Sequence, residues 1–283
     1  MMKRFLLDAL YTLLMFTGVV AAVEPLFSRA ENEYSLKQSL LTENPGQVKY
    51  LLMGNSLFAN SFNPHELGDS ALCVAVPSRS IDYDTEILRR HIDLLPNLQA
   101  VIIPMSGHLY ARREQNDAYV KFCHARYFHI GSLIDRSAFL TGQMRLGNLT
   151  TRPECDSAGF DPVDRRWDGI CHPFVHPKTE ETLKNQPYYA QCLREMNSLC
   201  SARGVGLIVV TPPATQIYEH HLSDTILAAI QEVIGSVDFG SLRYRCYYGD
   251  PQFKEDSLYA DDLHLNLTGA TLFARRVKND FGL

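Results

Sequence analysis

Val48-Lys49-Tyr50-Leu51-Leu52-Met53-Gly54-Asn55-Ser56 is the stretch whose reading decides the fold. A short apolar run that stops at Gly-Asn-Ser is too brief for a helix and reads as a buried strand closed by a turn. Outward from it the same design recurs. Ala71 to Val76 is a second run, stopped by Pro77; Val101-Ile102-Ile103 is a third, stopped by Pro104; Gly206 to Val210 is a fourth, stopped by Pro212-Pro213. Between the runs the spacing changes to that of helices. Residues 83–95 set Ile87, Leu88, His91 and Leu94 on one side, and further helices are predicted at 185–202, 223–234 and 267–280. Continuous Val/Ile/Leu runs alternating with helices predict a parallel sheet covered on both faces, a three-layer α/β/α sandwich. Ligands of such sheets bind at the carboxyl ends of the strands.

The composition excludes several classes. With 283 residues, 46% hydrophobic and 21% charged, the chain can bury a core and is not a disordered protein. Its 17 Gly and 14 Pro follow no period, which excludes collagen-like and low-complexity chains. A formal charge of −5 offers no electrostatic footprint for nucleic acid. One segment alone is apolar enough for a bilayer: Met1-Met2-Lys3-Arg4 leads into Phe5–Val23, broken only by Asp8. Three readings follow: a single-pass anchor, a removable signal peptide ending near Val20-Ala21-Ala22, and, as the plainer one, a buried N-terminal core helix. The basic flank favours the anchor, with Lys3-Arg4 on the cytoplasmic side and the body extracytoplasmic at the cell membrane. The expected organisation is an anchor at 1–23, a polar stalk at 24–47 and one domain at 48–283, carrying an insertion at about 107–189. That insertion is rich in His, Arg, Asp and Pro, and holds the single tryptophan, Trp167.

The seven cysteines form no C-x-x-C pair, and no histidine cluster has acidic or Cys partners at metal spacing, so no metal site and no cofactor are expected. His172 and His176 read as loop histidines beside Pro173 and Pro177. Cys155 and Cys171 flank a polar stretch and are placed to close a loop disulfide in an oxidising compartment, the alternative being two reduced thiols. Cys73 reads as a small buried hydrophobe, and Cys192 with Cys200 as core positions on one helix face. Arg89-Arg90, Arg112-Arg113 and Arg165-Arg166 read as solvated pairs, those in the insertion being able to meet an anionic glycan.

Two places have residues suited to chemistry. Ser56 stands at the turn after the first strand, where a hydroxyl is exposed and a backbone amide is free to help hold an oxyanion; an ordinary helix cap is the plainer reading. Asp261-Asp262-Leu263-His264 lies just ahead of the last helix. An Asp three residues before a His can set its carboxylate against imidazole Nδ1 and leave Nε2 free as a base. The plainer reading there is a polar loop followed by Asn266 as a helix cap.

Taken together, Gly54-Asn55-Ser56 and Asp261-Asp262-Leu263-His264 resemble the serine block and the Asp-x-x-His block of the SGNH (GDSL-type) hydrolase superfamily. Leu265-Asn266 and Gly269 are similar to the branch containing the DltD, PatB and alginate-acetylation proteins. The resemblance covers roughly 48–106 and 190–283, and leaves out the insertion. It implies an SGNH-like sandwich behind the N-terminal transmembrane helix, with Ser56 as nucleophile, His264 as base and Asp261 orienting it. The family's oxyanion donors imply the amides of Ser56 and Ser78 together with Ser106, although Ser78 stands where the family has glycine and Met105-Ser106-Gly107-His108 contains no asparagine. The implied activity is extracytoplasmic acyl-ester hydrolysis or O-acyl transfer on cell-surface or exported polysaccharide, alongside a membrane-bound O-acyltransferase. A lone esterase on small acyl esters or lipids and a non-catalytic glycan-binding protein are the alternatives. Trp167 is expected to stack on a sugar face, the alternative being an insertion that merely packs over the sheet.

Overall fold

The computed structural model describes residues 2–28, 31–111, 117–137, 155–170, 176–237, 240 and 242–283. The chain divides into two compact units, Met1–Ser35 with Asp117–Pro153, and Leu36–Asn116 with Glu154–Leu283. In chain order the elements are α1 (Met2–Ser28), α2 (Glu33–Glu43), β1 (Tyr50–Leu52), α3 (Ser56–Ala59), β2 (Ala71–Cys73), α4 (Ile81–His91), β3 (Ala100–Pro104) and α5 (Ala118–Tyr127). They continue with α6 (Thr179–Ser201), β4 (Gly206–Thr211), α7 (Gln216–His220), α8 (Asp224–Gly235), β5 (Leu242–Cys246) and α9 (Leu267–Phe281).

The second unit is the expected sandwich. Its five strands are all parallel, in the order β2-β1-β3-β4-β5. Leu52 pairs with Cys73 on one side and Ile102 on the other, and Ile102 pairs with Ile208. Because side chains alternate along a strand, Leu52, Ile102, Ile208 and Val210 share one face, where Phe273, Ala274 and Val277 of α9 cover them. Their neighbours Leu51, Val101, Leu207 and Val209 are fully buried toward the opposite face, and α6 packs there between α4 and α8. A sheet buried on both faces is why these strands read as unbroken apolar runs.

Among the elements that differ from the sequence reading, three have a clear local reason. β5 was not anticipated: Leu242-Arg243-Tyr244-Arg245-Cys246 carries two arginines and borders the sheet, so only its first residue is buried. α6 starts at Thr179, ahead of the expected 185, because Glu180 and Glu181 suit its first turn and Thr182 Oγ1 donates to the Gly107 carbonyl at 2.6 Å. The interval expected to be a plain stalk contains α2, where Tyr34, Lys37 and Leu41 recur at helical spacing and are buried. Lys37 Nζ donates to the carbonyl of Ala75.

In the first unit α1 is, among the described residues, a helix long and apolar enough to cross a membrane over Met2–Leu26; its most apolar stretch has mean hydropathy 2.0 and none of that stretch is buried. The interval 107–189, expected to act as one insertion, divides between the units: α5 belongs to the first, and residues 155–170 to the second.

Candidate active site

The strand order reverses at β1, whose two neighbours β2 and β3 leave in opposite directions, and a crevice is expected there beyond the carboxyl ends. Gly54 makes the turn at φ +119°, and a Cβ on it would stand 2.4 Å from Pro104 Cδ, so only glycine fits. Its amide donates to Asp84 Oδ1 at 3.1 Å, and that buried carboxylate also receives Arg79 Nη1 at 3.2 Å. Burial pushes the Asp84 carboxyl up to about 6, against the pull of the Arg79 charge and the Gly54 amide. Asn55, in extended conformation, caps α3 by accepting from the Leu57 amide at 3.1 Å. Ser56 is thereby the first helical residue, half-buried, with its hydroxyl at the sheet edge.

The partner of Ser56 comes from the loop before α9. Tyr259 and Leu265 form an antiparallel bridge, and the Ala260 amide donates to the His264 carbonyl at 2.8 Å, closing a tight loop. Within it Asp261 Oδ1 accepts from the amides of Leu263 at 3.0 Å and His264 at 2.8 Å. The same carboxylate faces His264 Nδ1 at 2.9 and 3.0 Å. His264 Nε2 lies 2.8 Å from Ser56 Oγ. Burial alone would raise the Asp261 carboxyl, but the hydrogen bond and charge of His264 and the two amides hold it well below the usual carboxylate range. Asp261 is thus an anion. The imidazole proton then sits on Nδ1, leaving Nε2 to accept from the serine hydroxyl. A hydroxyl, a base and an oriented carboxylate in series can generate a nucleophile.

The residues expected as oxyanion donors are placed unequally. Ser78 lies in the exposed turn after β2 at φ +61°, a left-handed conformation that glycine takes freely. Ser106 is 6% exposed, lines a cavity of ≈ 20 Å³ with Gly54, Asn55 and Asp84, and its Oγ accepts from the His108 amide at 3.4 Å. Trp167 requires a correction. It is 8% exposed within the α9-side core, its indole N–H donates to the Ile170 carbonyl at 3.0 Å, and its amide donates to Tyr259 O at 2.8 Å. Its ring is spent on packing and presents no open face for a sugar.

The sequence reading missed several groups around the site. His108 stacks on Tyr110 with ring centroids 5.2 Å apart and lies 6.5 Å from the Tyr218 ring. Tyr218 packs with Leu57 and Leu263, the residues that follow Ser56 and precede His264. Burial, with His176 and His264 nearby, lowers the His108 imidazole to about 4. His176 lies in the loop ahead of α6, as read from the sequence, but its ring is engaged: Nε2 lies 3.5 Å from Oδ2 of the fully buried Asp262, and it stacks on His221 at 3.9 Å. The only hint in the sequence was Asp262 itself, doubled beside Asp261. Among the described residues, no group of three or more His, Cys, Asp or Glu could hold a metal. Cys73, Cys192 and Cys200 are buried as expected of core positions. Cys155 is buried too, whereas Cys171, His172 and Arg112-Arg113 lie outside the described residues, and with them the expected disulfide.

No family model matches the chain, and no curated protein matches it in sequence. Among solved structures it is similar to a GDSL-like lipase from Bacteroides thetaiotaomicron, with TM-score 0.46 and 12% identity, over 88% of this chain and 98% of that one. It is also similar to a catalytic mutant of an acetylxylan esterase from Geobacillus stearothermophilus, with TM-score 0.43 and 10% identity, over 83% of this chain and 94% of that one. A likeness at this level concerns the broad arrangement of sheet and helices, without residue correspondence.

Proposed function

We propose that the protein is a serine acyl-ester hydrolase or O-acyltransferase that works outside the cytoplasm on polysaccharide, held to the membrane by α1. The observation that carries the reading is the hydrogen-bonded series Asp261–His264–Ser56, with Nδ1 at 2.9 Å from the carboxylate and Nε2 at 2.8 Å from the hydroxyl. In this reading Ser56 Oγ attacks the acyl carbonyl while its proton passes to His264 Nε2. The carboxylate of Asp261 steadies the imidazolium, which then protonates the leaving oxygen. Water or an acceptor hydroxyl, deprotonated by the same nitrogen, takes the acyl group from Ser56. The amides of Ser56 and Ser78, with Ser106, would hold the oxyanion, and loss of one good donor typically costs ~3 kcal/mol in barrier. The left-handed backbone of Ser78 supports its place in that set.

The polysaccharide target, and work beside a membrane-bound O-acyltransferase, are supported by the resemblance of the Asp261–Gly269 block to the alginate-acetylation branch. The test is labelling with an activated fluorophosphonate, together with release of acetate from an O-acetylated polysaccharide. Labelling of wild type and none of Ser56→Ala is expected. An unlabelled wild type would leave a glycan-binding protein with an SGNH-like fold. Labelling without any action on polysaccharide would leave a lone esterase.

A further inference from the structure

Among the described residues, the most exposed large apolar side chains outside α1 are in the same unit as α1. Leu133 is 83% exposed and Ile134 64% exposed, side by side at the tip of a turn that follows α5. The turn is firmly built. Ser132 N and Oγ donate to Asp135 Oδ2 at 2.9 and 2.7 Å, and the Asp135 amide donates back to Ser132 Oγ at 3.2 Å. The Arg136 amide reaches Ser132 O at 3.3 Å, and the Ser137 amide reaches Ile134 O at 3.1 Å. At its base Phe128 and Ile130 are buried. A rigid turn that holds two large apolar side chains outward pays for their hydration unless something apolar covers them.

One side chain says where the tip lies. Arg126, in α5, pairs with Glu24 of α1, Nη1 standing 3.4 Å from Oε1, and Nη2 donates to the Glu24 carbonyl at 3.3 Å. Nη1 of the same guanidinium donates to the Arg136 carbonyl at 3.1 Å. A single guanidinium thus holds the end of the apolar helix and the base of the turn together. The candidate span of the helix is 25 residues long, and none of its most apolar window is buried. At a rise of about 1.5 Å per residue such a helix spans roughly 37 Å, more than the ~30 Å hydrocarbon layer, so its Glu24 end comes out at an interface. The exposed Arg136 next to the tip suits the phosphate level there.

We infer that the turn at 132–135 is a second membrane contact, in which Leu133 and Ile134 enter the acyl region of the bilayer leaflet beside the Glu24 end of α1. The bilayer is favoured over a protein partner because Arg126 ties the base of the turn to the Glu24 end of α1, whose long apolar surface only lipid would cover along its length. The inference goes beyond the proposed chemistry and rests on the proposed membrane location, with α1 retained.

The test uses the full chain in vesicles of phosphatidylcholine brominated along its acyl chains. Wild type has one tryptophan, Trp167, buried in the second unit, which gives a low background. In Leu133→Trp, a side chain a few ångströms below the headgroups should lose emission to the bromines at least about twofold, with little loss in wild type. Ile134→Trp should behave in the same way, and both positions are exposed enough to accept the ring. Carbonate washing of the same vesicles tests retention of α1. Retained protein with no added quenching in either variant overturns the inference alone, and a blue-shifted but unquenched emission does so by placing protein over the tip. Release of wild type by carbonate overturns the membrane location, and the inference with it.

Discussion

Asp261 and Asp262 are neighbours in the chain and each faces a histidine, yet the two pairs are built on different principles. Asp261 meets His264 within one loop, and the turn that brings them together is made by the same carboxylate accepting two backbone amides. Asp262 meets His176 across the fold. Its backbone carbonyl is held by Thr215 N at 3.1 Å and Thr215 Oγ1 at 2.9 Å while its carboxylate is fully buried. In the first pair Nδ1 takes the carboxylate and Nε2 is left to Ser56. In the second, Nε2 itself faces the carboxylate, and the ring packs against His221 and Tyr218. Burial and the neighbouring His221 lower the His176 imidazole despite the opposing pull of Asp262. Similar composition therefore serves two ends. One pair turns an imidazole nitrogen toward a hydroxyl, and the other packs into the wall beside it.

The sharpest way to break this comparison is to remove each imidazole. His264→Ala should cut kcat on a small acetyl ester by ~10⁴-fold or more, whereas His176→Ala should stay within about tenfold of wild type. Equal losses, in variants shown by circular dichroism to be folded, would mean that the two histidines act as one unit. Removing charge from each carboxylate should give the next largest contrast. Asp261→Asn is expected to lose one to two orders of magnitude less than His264→Ala, because it disturbs tautomer and orientation rather than bond making. Asp262→Asn should leave kcat close to wild type and lower the thermal midpoint instead.

Two smaller effects sharpen the packing role. Thr215→Val removes the hydroxyl that holds the Asp262 carbonyl, and urea titration should show a loss of about 1 kcal/mol with kcat unchanged. His108 feels both pairs, since His176 and His264 each help to depress it to about 4. In the unfolded chain this imidazole takes up its proton near 6.5, so the unfolded state binds the extra proton first as pH falls. The contribution of His108 to stability is full above about 6.5 and declines from there toward about 4. His108→Phe should flatten that part of the acid-side decline in urea midpoints. An unchanged slope would remove His108 from the link between the pairs.

How far the sequence could be read follows from the range over which each contact acts. The four apolar strands were legible because a doubly covered parallel strand must be apolar at every position, and β5 was not, because an edge strand with Arg243 and Arg245 lacks that signature. Trp167 was misjudged for a related reason. A lone aromatic in a polar stretch looks exposed, but here it fills the core beside Tyr259.

The sequence by itself determined the local half of the site: Gly54 where the chain must take a positive φ, and Asp261 three residues before His264. Both are settled by sterics and hydrogen bonds within a few residues. Only the tertiary structure decided that His264 lies 2.8 Å from Ser56, that His176 reaches Asp262, and that Arg126 ties the end of α1 to the turn at 132–135. Those contacts join residues far apart in the chain. They exist only once strand order, register and helix packing have brought the segments together, and no spacing along the sequence encodes that closure directly.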